Sequence, residues 1–254
     1  MVDPRSLTVL VTGATAGFGE AVCRRFAAQG AKVVATGRRA GRLAALKKSL
    51  GARCATLAFD VRDRAATDKA LKSLPRGFAE IDVAVANAGL ALGLEGAASA
   101  DLDDWDAMVA TNISGLLYTV RAVLPGMVAR DRGHIVLLGS VASDFPYPGG
   151  NVYGATKAFV TQFGLNLRAD LLGSNVRVTT VEPGLAETEF SLVRFKGDAA
   201  KAKKPYEGIE PLSGDDVAEA VYWAATLPRR VNVNRVQMMP VMQAFSPFAF
   251  KRKG

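Results

Sequence analysis

The 254-residue chain is 49 % hydrophobic but only 7 % aromatic, and 32 Lys and Arg against 24 Asp and Glu leave a net charge of +8. So much apolar material excludes a disordered chain and points to a core of Ala, Val and Leu rather than rings. Two cysteines, Cys23 and Cys54, and one histidine, His134, exclude a disulfide scaffold and leave no metal-ligand spacing; basic residues are dispersed apart from short clusters at Arg38-Arg39, Lys201 to Lys204 and Lys251 to Lys253, which argues against a nucleic-acid partner.

Met1 to Ser6 shows no charged stretch leading into an apolar core and a small-residue cleavage site, so no export signal is expected and the protein is placed in the cytoplasm. The longest charge-free run, Val236 to Phe250, is broken by Pro240 and Pro247 and falls short of the roughly 20 apolar residues of a membrane span, so no membrane partner is expected. The first strand reads "LTVLV" from Leu7. It runs into "TGATAGFG", Thr12 to Gly19, and a helix expected to begin near Gly19 or Glu20. Glycines at 13, 17 and 19 permit a tight turn and close backbone approach to a pyrophosphate, with the helix N-terminus supplying free N–H groups.

The second strand, "KVVAT" from Lys32, ends in Gly37, Arg38 and Arg39. An NAD-specific site usually carries an acid there for the ribose 2′-hydroxyl; two guanidiniums instead suit a 2′-phosphate, so NADP is preferred over NAD. Further strands are expected at "CATLAF" from Cys54, "IDVAVA" from Ile81, "HIVLLGS" from His134, "VRVTTVE" from Val176 and "NRVQMMP" from Asn234. They are apolar without alternation, as parallel strands covered on both faces should be. Between them, "GEAVCRRFAAQG", "GRLAALKKSLG", "AATDKALKSL" and the stretch from Trp105 to Ala129 carry helical spacing. His134, at a strand start, is read as a packing or surface residue, and both cysteines as buried free thiols.

Strand and helix therefore alternate about seven times, which calls for a single-domain α/β Rossmann fold over residues 1–254: a doubly wound parallel sheet with helices on both faces. The long irregular segment at about 185–212, rich in charge, Gly and Pro, is a candidate substrate lid.

Tyr153 and Lys157 stand four positions apart at the start of a helix, after a strand whose end carries Ser140, so the three side chains are expected to converge beyond the sheet. At an effective dielectric near 20, a charge about 4 Å away is worth roughly 4 kcal/mol, enough to lower the phenol by up to about three pKa units. That puts Tyr153 in range to act as acid or base near neutral pH.

These pieces together resemble the short-chain dehydrogenase/reductase family: TGATAGFG at 12, Asp60-Val61, Asn87-Ala88-Gly89, Asn112, Ser140, Tyr153-x-x-x-Lys157 and Pro183-Gly184, in order along nearly the whole chain. The resemblance implies that Tyr153 is the acid/base, that Lys157 lowers its pKa and binds the nicotinamide ribose, that Ser140 orients the carbonyl and that Asn112 supports a water-mediated proton relay. It also implies a cofactor site made by Gly13, Ala14, Thr15, Ala16, Gly17, Phe18, Gly19, Arg38, Arg39, Asp60, Val61, Asn87, Ala88 and Gly89, with Pro183, Gly184 and Thr188 at the nicotinamide end. Ala86 departs from the Asn-Asn-Ala-Gly of many relatives, and "EPGLAETEF" looks about one residue short.

Within the family, "VTGATAGFGE", "RAVLPGMV", "GGNVYGATKAFV" and "VRFKGD" look like the bacterial NADP-dependent 3-hydroxy acid dehydrogenases, which act on serine, allo-threonine and small β-hydroxy acids. The resemblance therefore implies a homotetrameric oxidoreductase with a small-molecule substrate held by Ser140 and Tyr153; on the lid, Arg194 offers a fork and Lys196 a point charge, either suited to fixing an anionic group. Alternatives are a reductase of sulfoacetaldehyde or a 3-oxoacyl thioester, and a non-catalytic NADP sensor on the same fold.

Overall fold

The structure is a computed structural model, and it describes residues 1–245. Among the described residues, seven parallel strands, β1 (Thr8–Val11), β2 (Lys32–Gly37), β3 (Cys54–Ala58), β4 (Val83–Ala86), β5 (Gly133–Leu138), β6 (Val176–Pro183) and β7 (Arg235–Met238), form one sheet in the order β3-β2-β1-β4-β5-β6-β7. The order reverses between β1 and β4, the place where an open α/β sheet leaves a crevice beyond its strand ends. Each expected strand is present, most of them trimmed by a residue or two at one end.

Helices α1 (Gly17–Ala28), α2 (Ala40–Leu50), α3 (Arg64–Lys72), α4 (Leu102–Val109), α5 (Gly115–Ala129), α6 (Asn151–Asp170), α7 (Glu189–Arg194), α8 (Ala199–Lys203) and α9 (Gly214–Thr226) complete the chain order. The strands alternate their side chains between two apolar layers. Val9 and Val11 pack with Val22 and Phe26 of α1, Leu43 of α2 and Val221 of α9, whereas Leu10 packs with Val120 and Met127 of α5 and Val160 of α6. Phe26 and Leu10 are fully buried, each worth roughly 1.5–3 kcal/mol of transfer free energy. The sheet is thus covered on both faces, as its unbroken apolar strands require.

Three features differ from the sequence reading. Helix α1 starts at Gly17, not Gly19 or Glu20, because Ala16 is extended and its carbonyl already accepts from the Glu20 N–H. The 185–212 segment is not irregular throughout: it holds α7 and α8, and a bridge between Ala186 and Leu212 closes its ends. Residues Leu102–Ala129 form one continuous 28-residue helical run, in which a π turn at Ala110–Ser114 separates α4 from α5. By length and composition alone the run is apolar enough to cross a membrane; its Leu116, Val120, Val123 and Met127 pack on the sheet. Residues 246–250, the end of the charge-free run from Val236, and the basic cluster at 251–253 lie outside the described residues.

Candidate active site

A cleft of about 280 Å³ opens beyond β1, β2 and β4. Its floor is the glycine turn. Gly13 is left-handed at φ +66°, and a Cβ there would meet Ala88 Cα at 3.0 Å; one at Gly19 would lie 2.4 Å from the Gly13 carbonyl oxygen. Only glycine lets the turn nest this closely against 87–89. The Asn87 side-chain amide donates to the Thr12 carbonyl at 2.8 Å, and the Thr12 hydroxyl accepts from the Asn87 and Ala88 N–H groups at 3.0 Å. Ala14 is buried and its N–H donates to the Thr36 carbonyl, so the turn is built in advance of any ligand.

Helix α1 has no side-chain cap at Ala16, and Ala16, Gly17 and Phe18 line the cleft. Its first N–H groups and positive dipole end thus face a space suited to a diphosphate. At the rim, Arg38 is largely exposed and sits 3.8 Å from Asp60 Oδ2. Arg39 donates to Thr15 Oγ1 at 2.8 and 3.0 Å and to Glu189 at 2.9 Å, while Arg42 donates to the same Glu189 at 2.6 Å. The hydrogen bonds from Arg39 and then Arg42 hold the Glu189 carboxyl below its ordinary range. A glycine cradle, an uncapped helix start and three guanidiniums fit a dinucleotide carrying an extra phosphate. The end of β2 carries no acid, as expected, and Asp60 stands at the cleft where the resemblance put it; Glu189, brought from α7, is the acid the sequence did not suggest.

A second cavity of about 370 Å³ adjoins the first, sharing Phe18, Thr188 and Phe190 with it, and is lined by Ser140, Tyr153, Pro183, Gly184 and Arg194. Ser140 stands two residues past the end of β5; its Oγ accepts from the Ala142 N–H at 3.1 Å and donates to the Pro183 carbonyl only at 3.5 Å, a distance at the limit of a hydrogen bond. Its proton is therefore weakly held. Tyr153, in the first turn of α6, is 9 % exposed. Burial pushes its phenol up to about 12, with the Ser140 hydroxyl pulling the other way.

That result corrects the expected acidity. Lys157 does share the helix face, but its Nζ donates to the Leu138 carbonyl at 2.7 Å and lies 5.9 Å from the Tyr153 ring centroid. Burial lowers Lys157 itself to about 8, so it still carries its proton at neutral pH, but its Nζ is committed to the Leu138 carbonyl rather than to the phenol. Gly89 keeps the space beside it open: a Cβ there would stand 3.6 Å from Nζ and 3.3 Å from Asn112 Oδ1. Asn112, on the π turn, spends its side chain on structure. It accepts from the Leu90 N–H and donates to the Leu90 carbonyl, both at 2.9 Å, and to Thr156 Oγ1 at 3.0 Å.

Of the two lid cations, Arg194 enters the cavity and Lys196 does not. Arg194 Nη2 donates to the Tyr147 hydroxyl at 2.5 Å, and Nε to the Gly93 carbonyl at 3.3 Å. Lys196 turns outward to Asp104 at 2.9 Å and Asp101 at 3.7 Å, so it is corrected from a candidate ligand to a surface ion pair. The sequence reading missed Arg42, Glu189, Tyr147 and Gln243. Tyr147 had a faint signal, as an aromatic in the loop joining Ser140 to Tyr153; Gln243, which accepts from the Leu185 N–H at 2.7 Å, had none. His134 is buried and bonded to Thr179 Oγ1 at 2.8 Å, a packing role, and both cysteines are free and buried. Among the described residues, no group of His, Cys, Asp and Glu is placed to hold a metal.

Known proteins resemble this chain over nearly its whole length. The short chain dehydrogenase family model matches residues 7–198. The NADP-dependent 3-hydroxy acid dehydrogenase YdfG of Salmonella typhi is 59 % identical over 247 residues, 97 % of this chain and 100 % of that protein. The serine 3-dehydrogenase of Agrobacterium fabrum is 50 % identical over 246 residues, covering 97 % and 98 %. A solved closed form of serine dehydrogenase complexed with NADP+ superposes with a TM-score of 0.96 at 57 % identity, covering 96 % of this chain and 99 % of that one.

Proposed function

The chain belongs to the short-chain dehydrogenase family, and from that premise we propose that it is an NADP-dependent oxidoreductase acting at the β-hydroxyl of small 3-hydroxy acids such as serine, allo-threonine and 3-hydroxypropionate. The observation that carries this reading is the Arg194 guanidinium standing in the same cavity as Ser140 and Tyr153. It offers a fork for a carboxylate. High identity to relatives named for 3-hydroxy acid and serine dehydrogenation supports the substrate class.

NADP would lie on the Gly13–Gly19 turn, with its phosphates at the α1 start, its 2′-phosphate beside Arg38 and Arg39, its adenine near Asp60-Val61 and its nicotinamide near Pro183, Gly184 and Thr188. Bound there, it supplies the hydride acceptor or donor. Ser140, whose proton is loosely committed, donates a hydrogen bond to the substrate oxygen and orients it. Tyr153 takes the alcohol proton during oxidation and returns it during reduction. For a phenol near 12 the reducing direction starts with the proton already in place; oxidation needs a cation to favour the phenolate. Lys157 contributes that charge once its Nζ leaves Leu138 for the ribose, and Asn112 holds the Leu90 turn and Thr156 so that Tyr153 and Lys157 keep their positions.

We further propose a cytoplasmic homotetramer of single-domain subunits, supported by exposed Val109, Val128 and Leu165 on the long helices; light scattering at micromolar concentration should give four subunits. The substrate class is tested by following NADPH absorbance with free 3-hydroxy and 3-oxo acids, 3-oxoacyl thioesters and sulfonated aldehydes. The highest kcat/KM is expected for a free 3-hydroxy acid. Preference for a thioester or sulfonated aldehyde overturns the assignment, and no turnover of any of them favours an NADP sensor.

A further inference from the structure

The phenol of Tyr153 is faced from four sides. Ser140 approaches from the end of β5, Tyr147 from the loop before α6, Phe190 and Arg194 from α7, and Lys157 from one turn along α6 itself. Two of these groups carry charge, and Lys157 Nζ points away to the Leu138 carbonyl. The Arg194 Cζ lies 5.3 Å from the Tyr153 ring centroid, held there by three contacts: Tyr147 OH, the Gly93 carbonyl, and a backbone bond from the Gly93 N–H to the Arg194 carbonyl at 3.1 Å. Rings of Tyr147 and Phe190 flank it at 5.5 and 5.9 Å. Among the described residues, no carboxylate lies within ion-pair distance of it. The guanidinium is therefore an uncompensated cation in an aromatic wall, set over the ring that has to ionise.

We propose that Arg194, besides reading the substrate carboxylate, is a second cation, alongside Lys157, that tunes the proton affinity of Tyr153, so that the charge of the substrate feeds directly into the acid/base group. The carboxylate half of this rests on the proposed function; the tuning half does not. A cation over an aromatic face favours the electron-rich phenolate over the phenol. When a carboxylate pairs with Arg194, that bias is compensated and Tyr153 takes up its proton more readily. Burial chiefly holds the phenol up and Tyr147 adds to it, while the neighbouring Ser140 hydroxyl and then the charge of Arg194 draw it down.

The test is the pH dependence of kcat/KM for NADP-linked oxidation of 3-hydroxypropionate, which has no titrating ammonium, by the wild type, Arg194→Gln and Arg194→Lys. With Arg194→Gln the rising limb should move to higher pH by about half to one unit, on top of any rise in KM, and Arg194→Lys should restore its position. A Gln profile displaced only vertically overturns the tuning role while leaving carboxylate recognition intact, and so does a Lys variant shifted as far as Gln. If 3-hydroxypropionate is not oxidised, the substrate reading fails, and the profile is read on whichever alcohol the wild type does oxidise. Should Arg194→Gln fail to fold, Arg194→Met, which keeps the length and apolar packing of the stem and removes the charge, should shift the limb in the same direction; an unmoved limb there overturns the proposal.

Discussion

Glu189 accepts a hydrogen bond from Arg39 at 2.9 Å, tying the first turn of α7 to the opening of α2 across the mouth of the cofactor cleft. The same carboxylate takes a second bond from Arg42 at 2.6 Å. Both pairs are roughly 40–50 % exposed on either side, so each contributes no more than about 1 kcal/mol. Their larger consequence is competition: a 2′-phosphate approaching Arg39 meets a carboxylate already there. Glu189→Gln should therefore tighten NADPH relative to NADH by about two- to fivefold, the worth of one screened pair. Fluorescence titration of both cofactors checks this, and weaker NADPH binding would mean that the clamp holds the cofactor in.

Arg38 is the freest cation at the rim, with a side chain 62 % exposed and Asp60 no nearer than 3.8 Å. Replacing it with Ala should weaken NADPH by roughly 1.5–3 kcal/mol, the worth of a charge-assisted hydrogen bond, and leave NADH nearly unchanged. Equal losses for the two cofactors would remove Arg38 from the phosphate site.

Much of this site was legible in the chain because its parts are local. The Gly13–Gly19 turn, the Ser140 strand end and the Tyr153–Lys157 helical turn each declare themselves within a few residues, and the apolar strands fix where they point. What escaped notice depends on distance. Glu189 meets Arg39 and Arg42 across some 150 positions, and Gln243 meets Leu185 across 58; no periodicity encodes such pairings. The direction of the Tyr153 shift was misjudged for a related reason: sharing a helix face brought Lys157 near, but a buried ammonium takes the nearest carbonyl, that of Leu138, and dry surroundings then weaken both charges.

That burial has a pH signature. Lys157 titrates near 8 in the folded chain against an ordinary 10.5, so between those values the unfolded chain holds more protons and stability rises with pH. Tyr153, raised from 10 to about 12, acts oppositely: above pH 10 the unfolded chain has lost a proton that the folded chain keeps, and stability falls with pH. The buried thiols of Cys23 and Cys54, held above their ordinary 9.0 by burial, also act oppositely above pH 9, so Lys157 is isolated by the difference from a variant that keeps all three of those groups. Lys157→Met should be more stable than wild type at pH 8 and lose that advantage by up to about 1.4 kcal/mol per pH unit toward pH 10, as read from urea unfolding without nucleotide. A constant difference would place the Lys157 charge in water.

The most direct measurement compares wild type with Tyr153→Phe in NADP-linked oxidation of 3-hydroxypropionate or serine, with NADPH binding measured on the same samples. Phe keeps the ring packed against Phe190, at 5.6 Å between centroids, and removes only the hydroxyl that carries the exchangeable proton. The wild type should turn over, and Tyr153→Phe should bind NADPH as tightly while its kcat falls by about a hundredfold or more. Residual turnover above about a tenth of wild type, or a wild type that oxidises neither acid, would contradict the account.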